Sequence, residues 1–238
     1  MQIKNFFVEI ADFFLPRICF GCGNNLSINE EIICSTCKEN IKQPDVQFLQ
    51  EEFNRKYYNR KIISGIDALY VFEREKEFQN IIHHLKYRSR FKIGIYLGEQ
   101  IAEAKRDFIT NNKVDLIIPV PLHRIKKAER GFNQSDYIVK GLSSKIKIPA
   151  EYKAVKRIKN TASQTKMNLS ERQINIKDAF KIKNENAVKD KTILLVDDLM
   201  TTGSTLSECA KVLLDARAKK IFAISAAIAD REKLRMNP

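Results

Sequence analysis

The sequence lacks several features that mark common classes of protein. It contains no tryptophan, and no run of apolar residues approaches the ~18 that a membrane-spanning helix needs. It has no internal repeat and no low-complexity tract. These absences argue against a membrane span and a repeat architecture. The length of 238 residues leaves room for one sizeable domain, or for one domain and a small module.

The first twenty residues, MQIKNFFVEIADFFLPRICF, do not have the pattern of a secretion signal. Glu9 and Asp12 interrupt the apolar stretch, and no small-residue cleavage site follows. Apolar residues at helical spacing predict an amphipathic helix that ends at Pro16. We favour packing of this helix onto the rest of the protein over membrane attachment, and we expect a cytoplasmic location.

Four of the five cysteines form two CxxC pairs. Cys19 and Cys22 are followed, after eleven residues, by Cys34 and Cys37. In a chain without a secretion signal, such pairs favour zinc over disulfides, because each pair places two thiolates on one tight turn. We predict a structural Zn²⁺ site, with a redox centre or free thiols as the alternative. Cys209 lies in a helical pattern and is interpreted as a small buried residue.

The patterns along the chain divide it into three regions. We predict an N-terminal helix and cysteine module at 1–45, a linker or covering segment at 46–62, and one domain at 63–238. In this domain, short apolar runs alternate with helical patterns, which predicts an α/β fold with a mostly parallel sheet. The predicted strands are 66–73, 114–121, 191–198 and 219–229, and the predicted helices are 76–87, 93–109, 133–142 and 203–216.

The stretch LLVDDLMTTGSTL joins a predicted strand to a predicted helix. In α/β sheets, ligands bind at the carboxyl ends of the strands. A glycine, several hydroxyls and the amides of a helix N-terminus together make a cradle for a monophosphate. The P-loop pattern is absent, so a nucleotide triphosphate is not the first expectation. The residues of this cradle are Thr201, Thr202, Gly203, Ser204 and Thr205.

Two carboxylates, Asp197 and Asp198, stand directly before the cradle. They would repel a bare phosphate, but they suit a phosphate that is attached to a sugar with hydroxyl groups. A ribose 5-phosphate meets this requirement, with its hydroxyls donating to the carboxylates. The alternative is that the acidic and hydroxyl residues only cap the helix.

Several stretches resemble one protein family. LLVDDLMTTGSTL resembles the motif with which type I phosphoribosyltransferases bind 5-phosphoribosyl 1-pyrophosphate (PRPP). IIPVPLHRIKKAERGFNQSDYIV, RIKNTASQTKMNLSERQINIKDAFKI, HHLKYRSR and the double CxxC module are similar to segments of the ComF family. The resemblance covers nearly the whole chain and rests on separate motifs.

The resemblance implies a doubly wound sheet, the type I phosphoribosyltransferase fold, and a set of roles. Asp197 and Asp198 would hold the ribose hydroxyls, directly or through Mg²⁺, and would be the catalytic acids. Residues 201–205 would bind the 5-phosphate. The pyrophosphate side would be formed by Val120, Pro121, Arg124, Lys126, Lys127 and Arg130. A flexible lid would include Thr161, Gln164 and Arg172.

The formal charge of +13 is concentrated in three segments. Residues 83–92, 123–130 and 153–183 carry +4, +3 and +7, so the rest of the chain is at −1. This excess is more than a pyrophosphate requires, and it suggests single-stranded DNA as a partner, with Tyr87, Phe91 and Phe132 as stacking residues. A generally basic composition is the alternative. The candidate DNA-binding residues are Lys86, Arg88, Lys156, Arg157 and Lys159.

The sequence therefore predicts a PRPP-binding protein that handles single-stranded DNA during uptake in natural competence, with which the ComF family is associated. Two alternatives stay open at this point. One is an active phosphoribosyltransferase on an unidentified base, unrelated to DNA uptake. The other is a zinc-dependent adaptor for a DNA-uptake helicase.

Overall fold

The structure is a computed structural model, and it describes residues 16–57, 62–74, 76–87, 90–160 and 176–230. Within these ranges, no helix combines the length and the apolar character that crossing a bilayer requires. Some predicted features lie outside the described residues: the N-terminal amphipathic helix, Arg88, and the lid residues Thr161, Gln164 and Arg172.

The elements follow the predicted alternation closely. The helices are α1 (Ser35–Asn40), α2 (Val46–Tyr57), α3 (Glu77–Tyr87), α4 (Phe91–Ala104), α5 (Arg106–Asn111), α6 (Arg124–Arg130), α7 (Gln134–Ile146), α8 (Glu185–Val188) and α9 (Ser204–Asp215). The strands are β1 (Gly65–Phe72), β2 (Leu116–Pro119), β3 (Val155–Arg157), β4 (Phe180–Ile182), β5 (Thr192–Met200) and β6 (Lys220–Ala229). The predicted helix at 93–109 is two helices, because the helical backbone breaks at Lys105.

Four strands of the described chain form one parallel sheet in the order β1-β6-β5-β2. Its central strands are continuous apolar runs, because core residues cover both faces of the sheet. Along β5, Leu194 and Val196 pack into one core with α3, α4 and α7, whereas Ile193 and Leu195 pack into the other with α9. The two-residue period of a strand produces this division. The predicted α/β fold with a mostly parallel sheet is confirmed.

A short antiparallel pair, β3 and β4, lies outside this sheet. Its strands are three residues long, and the sequence analysis did not predict them. Arg157 ends β3 and its guanidinium lies over the ring of Phe180, 5.6 Å from the centroid. The pair therefore turns one basic side chain inward while Lys156, between buried neighbours, points to solvent.

Helices α4 and α7 cross at backbone contact distance. A Cβ atom at Gly98 would lie 2.0 Å from the carbonyl oxygen of Ile138, and one at Gly141 would lie 2.0 Å from that of Ile95. No side chain fits at such distances, so the two glycines allow the close crossing. Helix α7 begins beside the carboxyl end of β5, where the Ser135 hydroxyl donates to Asp197.

The cysteine module shares its apolar core with the sheet domain. Phe20, Ile33 and Ile41 belong to the same buried cluster as Leu85 of α3 and Phe222 of β6. The side-chain amide of Asn80 on α3 donates to the carbonyl of Gly21, at 2.8 Å. Because the two cores are continuous, we expect the cysteine module and α3 to be stabilised together.

Residues 46–62, interpreted from the sequence as a linker or covering segment, contain the twelve-residue helix α2, which the sequence analysis did not predict. The Asp45 carboxylate accepts from the amide of Phe48 and caps the helix. Glu52 forms ion pairs with Arg55 and Lys56, one turn further along. The segment lacks a clear apolar period, yet Tyr57 at its end is 1% exposed.

Candidate functional site

The two predicted acids lie in the second half of β5, and the partly exposed residues 197–199 interrupt an otherwise buried strand. The Asp197 carboxylate accepts from the hydroxyl of Ser135, at 3.2 Å, and from the amide of Asp198, at 2.9 Å. Burial, together with the neighbouring charge of Asp198, raises the pKa of Asp197 to about 7. Asp197 is therefore poised to exchange a proton near neutral pH.

The second acid has a cationic partner from a distant part of the chain. The amine of Lys86, near the end of α3, lies 3.1 Å from a carboxylate oxygen of Asp198. Both side chains are largely buried, with 20% of Lys86 and 13% of Asp198 exposed. The sequence analysis assigned Lys86 to a DNA surface, whereas the structure places it at the acid pair.

Residues 201–205 form the turn between β5 and α9. Gly203 has φ +75°, a left-handed conformation that favours glycine, and α9 begins at the next residue. The Ser204 amide donates to the hydroxyl oxygen of Thr202, whose hydroxyl in turn donates to that of Ser204. Helix α9 is twelve residues long, and its N-terminus, with these hydroxyls beside it, can hold a phosphate group.

Tyr57 of α2 covers the back of this turn. A Cβ atom on Gly203 would lie 2.4 Å from the Tyr57 hydroxyl oxygen. The same hydroxyl donates to the Gly203 carbonyl, at a long 3.5 Å. The turn is therefore closed on one side by a helix that the sequence analysis did not identify as part of the site.

A second loop follows β2 at the same edge of the sheet. The amide of Val120 donates to the carbonyl of Val196, which ties this loop to the strand that carries the acids. The side chain of Asn133 holds the Val120 carbonyl, at 3.1 Å. Val120 is buried and Pro121 is half-buried, so this loop presents mainly its backbone and the helix that follows.

His123 caps α6, as its Nδ1 atom accepts from the amide of Ile125. Burial, with the charges of Arg124, Arg157 and Lys126, lowers the pKa of His123. A neutral ring suits the cap, because Nδ1 must be unprotonated to accept a hydrogen bond. His123 therefore acts as a helix cap in this structure.

Basic residues from three separate segments lie in one region, and two of them, Lys86 and Arg157, interact with the acids. Burial, and the charges of Arg157, Arg130 and Lys86, lower the pKa of Lys126. Burial also lowers the pKa of Arg157, against the attraction of Asp197. Mutual repulsion of this kind requires that these cations lie close to one another. Together they form an anion-attracting cluster beside the acid pair, defined as Lys86, Lys126, Arg130 and Arg157.

Other candidate residues lie elsewhere. Lys127 pairs with Asp136 of α7, at 3.5 Å, and Arg124 is exposed. Lys156 and Lys159 are exposed, and the amine of Lys159 donates to the carbonyl of Lys177. Arg157 is only 8% exposed and so does not offer the open surface expected of a DNA contact.

The aromatic candidates for DNA stacking differ in their access to solvent. Phe91 is 42% exposed, although it packs against Tyr137 with ring centroids 5.1 Å apart. Phe132 is buried and packs edge to face on the same tyrosine, so its role in base stacking is corrected to a core role. The side chain of Tyr87 lies outside the described residues.

The four predicted cysteine ligands come together. The sulfur atoms of Cys19, Cys22, Cys34 and Cys37 all lie within 4.8 Å of one another. The Cys22 and Cys34 sulfurs are 3.8 Å apart, close to the roughly 3.8 Å between sulfurs that bind one tetrahedral ion at about 2.3 Å. The donor set and its spacing thus fit a four-thiolate metal site.

Backbone amides donate to two of the four sulfur atoms. The amides of Gly21 and Cys34 donate to the Cys19 sulfur, and the amide of Cys37 donates to that of Cys34. Burial raises the pKa of Cys19, but the amide donors lower it to a net value of about 7. Gly21 is required by space, since a Cβ atom there would lie 2.9 Å from the Cys37 sulfur.

Sequence reasoning found the residues that are contiguous in the chain and missed those that are not. Ser135 and Tyr57 had no signal of their own, because a serine at a helix start and a tyrosine in a polar segment are common. Lys86 did carry a signal, since it lies in a basic segment, but its partner Asp198 is 112 positions away.

Comparisons with known proteins find relatives over most of the chain. A family model described as the phosphoribosyl transferase domain matches residues 134–238. Competence protein F of Haemophilus influenzae is 30% identical over 223 residues, covering 86% of this chain and 93% of that protein. DNA utilization protein YhgH of Escherichia coli is 35% identical, and competence protein ComFC of Bacillus subtilis is 24% identical, each covering 84% of this chain.

The parallel sheet and the matched domain together confirm the type I phosphoribosyltransferase fold. The cluster of four cysteines at the N-terminal side accompanies that fold. The alignment with competence protein F extends over 86% of the chain at 30% identity. The chain belongs to the ComF family of phosphoribosyltransferase-like proteins.

Proposed function

We propose that the protein binds PRPP with Mg²⁺ and acts in the uptake and use of DNA during natural competence. The observation that carries the first part is the meeting of Asp197 and Asp198, the turn at 201–205, and a cluster of cations at one edge of the sheet. A phosphate, two ribose hydroxyls and a pyrophosphate would find complementary groups there.

The 5-phosphate would bind the amides and hydroxyls at the start of α9, with Thr201, Thr202, Gly203, Ser204 and Thr205 around it. Asp197 and Asp198 would accept from the ribose hydroxyls, or hold the Mg²⁺ that accompanies PRPP. Carboxylate oxygens are the ligands that Mg²⁺ prefers, and it is commonly bound together with substrate phosphates.

The pyrophosphate would face the loop after β2. Val120 and Pro121 would approach it through their backbone, and Lys126 and Arg130 of α6 would neutralise its charge. Arg124 and Lys127 are exposed and would contribute from the outer side. Thr161, Gln164 and Arg172 are proposed as the lid that excludes water.

This arrangement suits a phosphoribosyl transfer. As pyrophosphate leaves, C1 of the ribose becomes cationic, and the protein needs little covalent chemistry. Its contribution is to orient the reactants and to stabilise the leaving charge with groups that are already in place. The raised pKa of Asp197 is consistent with a group that loses its proton when ligand or metal arrives.

The cysteine cluster is proposed to hold a structural Zn²⁺. Four thiolates complete a tetrahedral shell and leave no position for a substrate. The ion would stabilise a module that is too small to fold on its own. Reduced thiolates of this kind are typical of the cytoplasm, where we place the protein.

The role in DNA uptake is supported by the names of the relatives, competence protein F and DNA utilization protein. The exposed Lys156 and Lys159 on and after β3 offer phosphate contacts close to the candidate site. We propose that single-stranded DNA binds along this basic surface, which is separate from the buried cations at the acid pair. A competence helicase is a further proposed partner.

Calorimetric titration with PRPP and Mg²⁺ tests the first part. We expect the wild-type protein to bind, and Asp197→Asn with Asp198→Asn to abolish the binding. The matched control is Asp190→Asn with Asp215→Asn, which removes two exposed carboxylates and should bind as the wild type does. Absence of heat with the wild-type protein at millimolar PRPP would refute PRPP binding.

A further inference from the structure

The ion pair between Lys86 and Asp198 lies in the site where the proposed ligand would bind. Its atoms are 3.1 Å apart, and its partners come from helix α3 and strand β5. If the carboxylate of Asp198 accepts from a ribose hydroxyl or binds a cation, the amine of Lys86 loses at least part of its partner. A largely buried ammonium requires another anion at that moment.

The surroundings of Lys86 point to what that anion is. The cluster of Lys86, Lys126, Arg130 and Arg157 brings four cations together beside two acids, with Lys86 paired to Asp198 and the charge of Arg157 attracted to Asp197. Four cations against two acids give the site an excess of positive charge. A ligand that brings several negative charges relieves the repulsion among the cations.

The connectivity of a phosphorylated sugar places that negative charge close to the amine. In PRPP, the pyrophosphate is attached to C1, next to the C2 hydroxyl. An amine that shares a carboxylate with this hydroxyl is within reach of the pyrophosphate oxygens. Ribose 5-phosphate has the same hydroxyls but no charge at C1.

We propose that Lys86 is the residue that distinguishes PRPP from ribose 5-phosphate, by exchanging Asp198 for the pyrophosphate when the ligand binds. This inference rests on the proposed PRPP binding, and it adds a ligand-binding residue from outside the loop after β2. In the ligand-free protein, the same amine holds Asp198 in place and keeps the acid pair compact.

Helix α3 fixes the position of this amine. Phe78, Ile81 and Leu85 are buried beneath it, with at most 1% exposed. Its outer part contacts the cysteine module through Asn80, which donates to Gly21, and through His84, whose ring lies 5.0 Å from that of Phe20. Lys86 is therefore presented by a rigid element, and only its side chain needs to move.

The test compares Lys86→Met with Lys92→Met, an exposed lysine of the same basic segment. In calorimetric titrations, Lys86→Met should weaken binding of PRPP and of inorganic pyrophosphate by tenfold or more, about the contribution of one charged hydrogen bond. Binding of ribose 5-phosphate should stay within twofold or tighten, because Asp198 no longer has a competing amine. Lys92→Met should bind all three as the wild type does.

Lys86→Arg, which keeps the charge, should retain most of the PRPP affinity and guards against a folding defect. Equal losses for PRPP and ribose 5-phosphate would overturn the inference, because they would mean that Lys86 only supports the structure. Unchanged binding of both would overturn it as well. The pyrophosphate titration remains informative even where wild-type protein fails to bind PRPP, so failure of the proposed function is distinguished from failure of this inference.

Discussion

At the scale of single residues, the titration of Asp197 makes the stability of the folded protein depend on pH. Its pKa is raised from 3.8 to about 7 in the folded protein by burial and by the charge of Asp198. Between these values the folded protein keeps a proton that the unfolded chain has lost. This contribution to stability is full below pH 3.8 and is lost as the pH rises toward 7.

We predict that Asp197→Asn removes this loss, because the amide cannot ionise. At pH 8 the variant should exceed the wild type in free energy of unfolding by about 4 kcal/mol, and the difference should shrink toward pH 4. Urea denaturation at several pH values measures it. Asp215→Asn, at an exposed carboxylate, should leave the wild-type dependence intact. A difference between Asp197→Asn and wild type that is constant with pH would contradict the assignment.

Gly203 allows a second prediction, because two glycines share its backbone conformation but not its surroundings. Gly203 has φ +75° and faces Tyr57, whereas Gly23 has φ +82° and no atom within 4 Å of the position that a Cβ would take. Gly23→Ala should therefore cost only the left-handed strain, about 1 kcal/mol. Gly203→Ala should cost at least about 2 kcal/mol more, because the methyl group displaces Tyr57.

Urea denaturation in excess Zn²⁺ compares the two variants. Since Gly203 is also part of the proposed phosphate cradle, Gly203→Ala should lose PRPP binding, and Gly23→Ala should retain it. Equal destabilisation by the two substitutions would contradict the prediction, because it would show that Tyr57 adds no steric cost to a side chain at position 203.

At the scale of elements, the sequence predicted those helices and strands that have a clear local pattern of apolar residues. Strands β2, β5 and β6 were predicted because strands buried on both faces are continuous apolar runs. Helix α2 was missed because it is polar on most of its surface and is stabilised by a cap and by ion pairs. The pair β3 and β4 was missed because three-residue strands have too few positions to establish a period.

In the candidate site too, only the residues with a local sequence pattern could be predicted. The acids and the hydroxyl turn are contiguous in one strand-turn-helix unit, so their chemistry could be inferred from the sequence. Lys86, Ser135 and Tyr57 reach that unit from three other helices. Only tertiary packing brings them there, and a single sequence contains no local pattern for it.

The continuity of the cysteine module with the main core leads to a third prediction. We expect purified protein to contain one zinc ion per chain, and its removal with a strong chelator to lower the melting temperature of the whole protein in one transition. The reason is that Phe20 and Ile33 share a core with α3. Cys22→Ser should lose the metal, whereas Cys209→Ala should retain it.

Zinc content by elemental analysis and thermal unfolding by circular dichroism measure these effects. Cys209 is a matched control because it is fully buried in α9, in the other core cluster. A chelated protein with the melting temperature of the holoprotein would contradict the structural role. Two separate transitions would contradict the shared core.

At the scale of the whole molecule, the basic residues have two different environments. Lys86, Lys126 and Arg157 are at least partly buried and belong to the cluster beside the acid pair, where they suit a small, highly charged ligand. Lys156 and Lys159 are exposed and suit a long polyanion. The formal charge of +13 therefore serves two proposed purposes, and one can be removed without the other.

We predict that Lys156→Gln with Lys159→Gln weakens binding of single-stranded DNA and leaves PRPP affinity unchanged. If each lysine contacts one phosphate, the slope of log K against log salt concentration should decrease in magnitude by about 1.4. Fluorescence anisotropy with a labelled oligonucleotide at several salt concentrations measures this slope. The double variant Lys189→Gln with Lys191→Gln removes the same charge from exposed positions at the opposite, amino end of β5. This control separates a local contact from a general effect of net charge. Equal losses of affinity in the two double variants would mean that DNA binding depends only on the total charge of the protein.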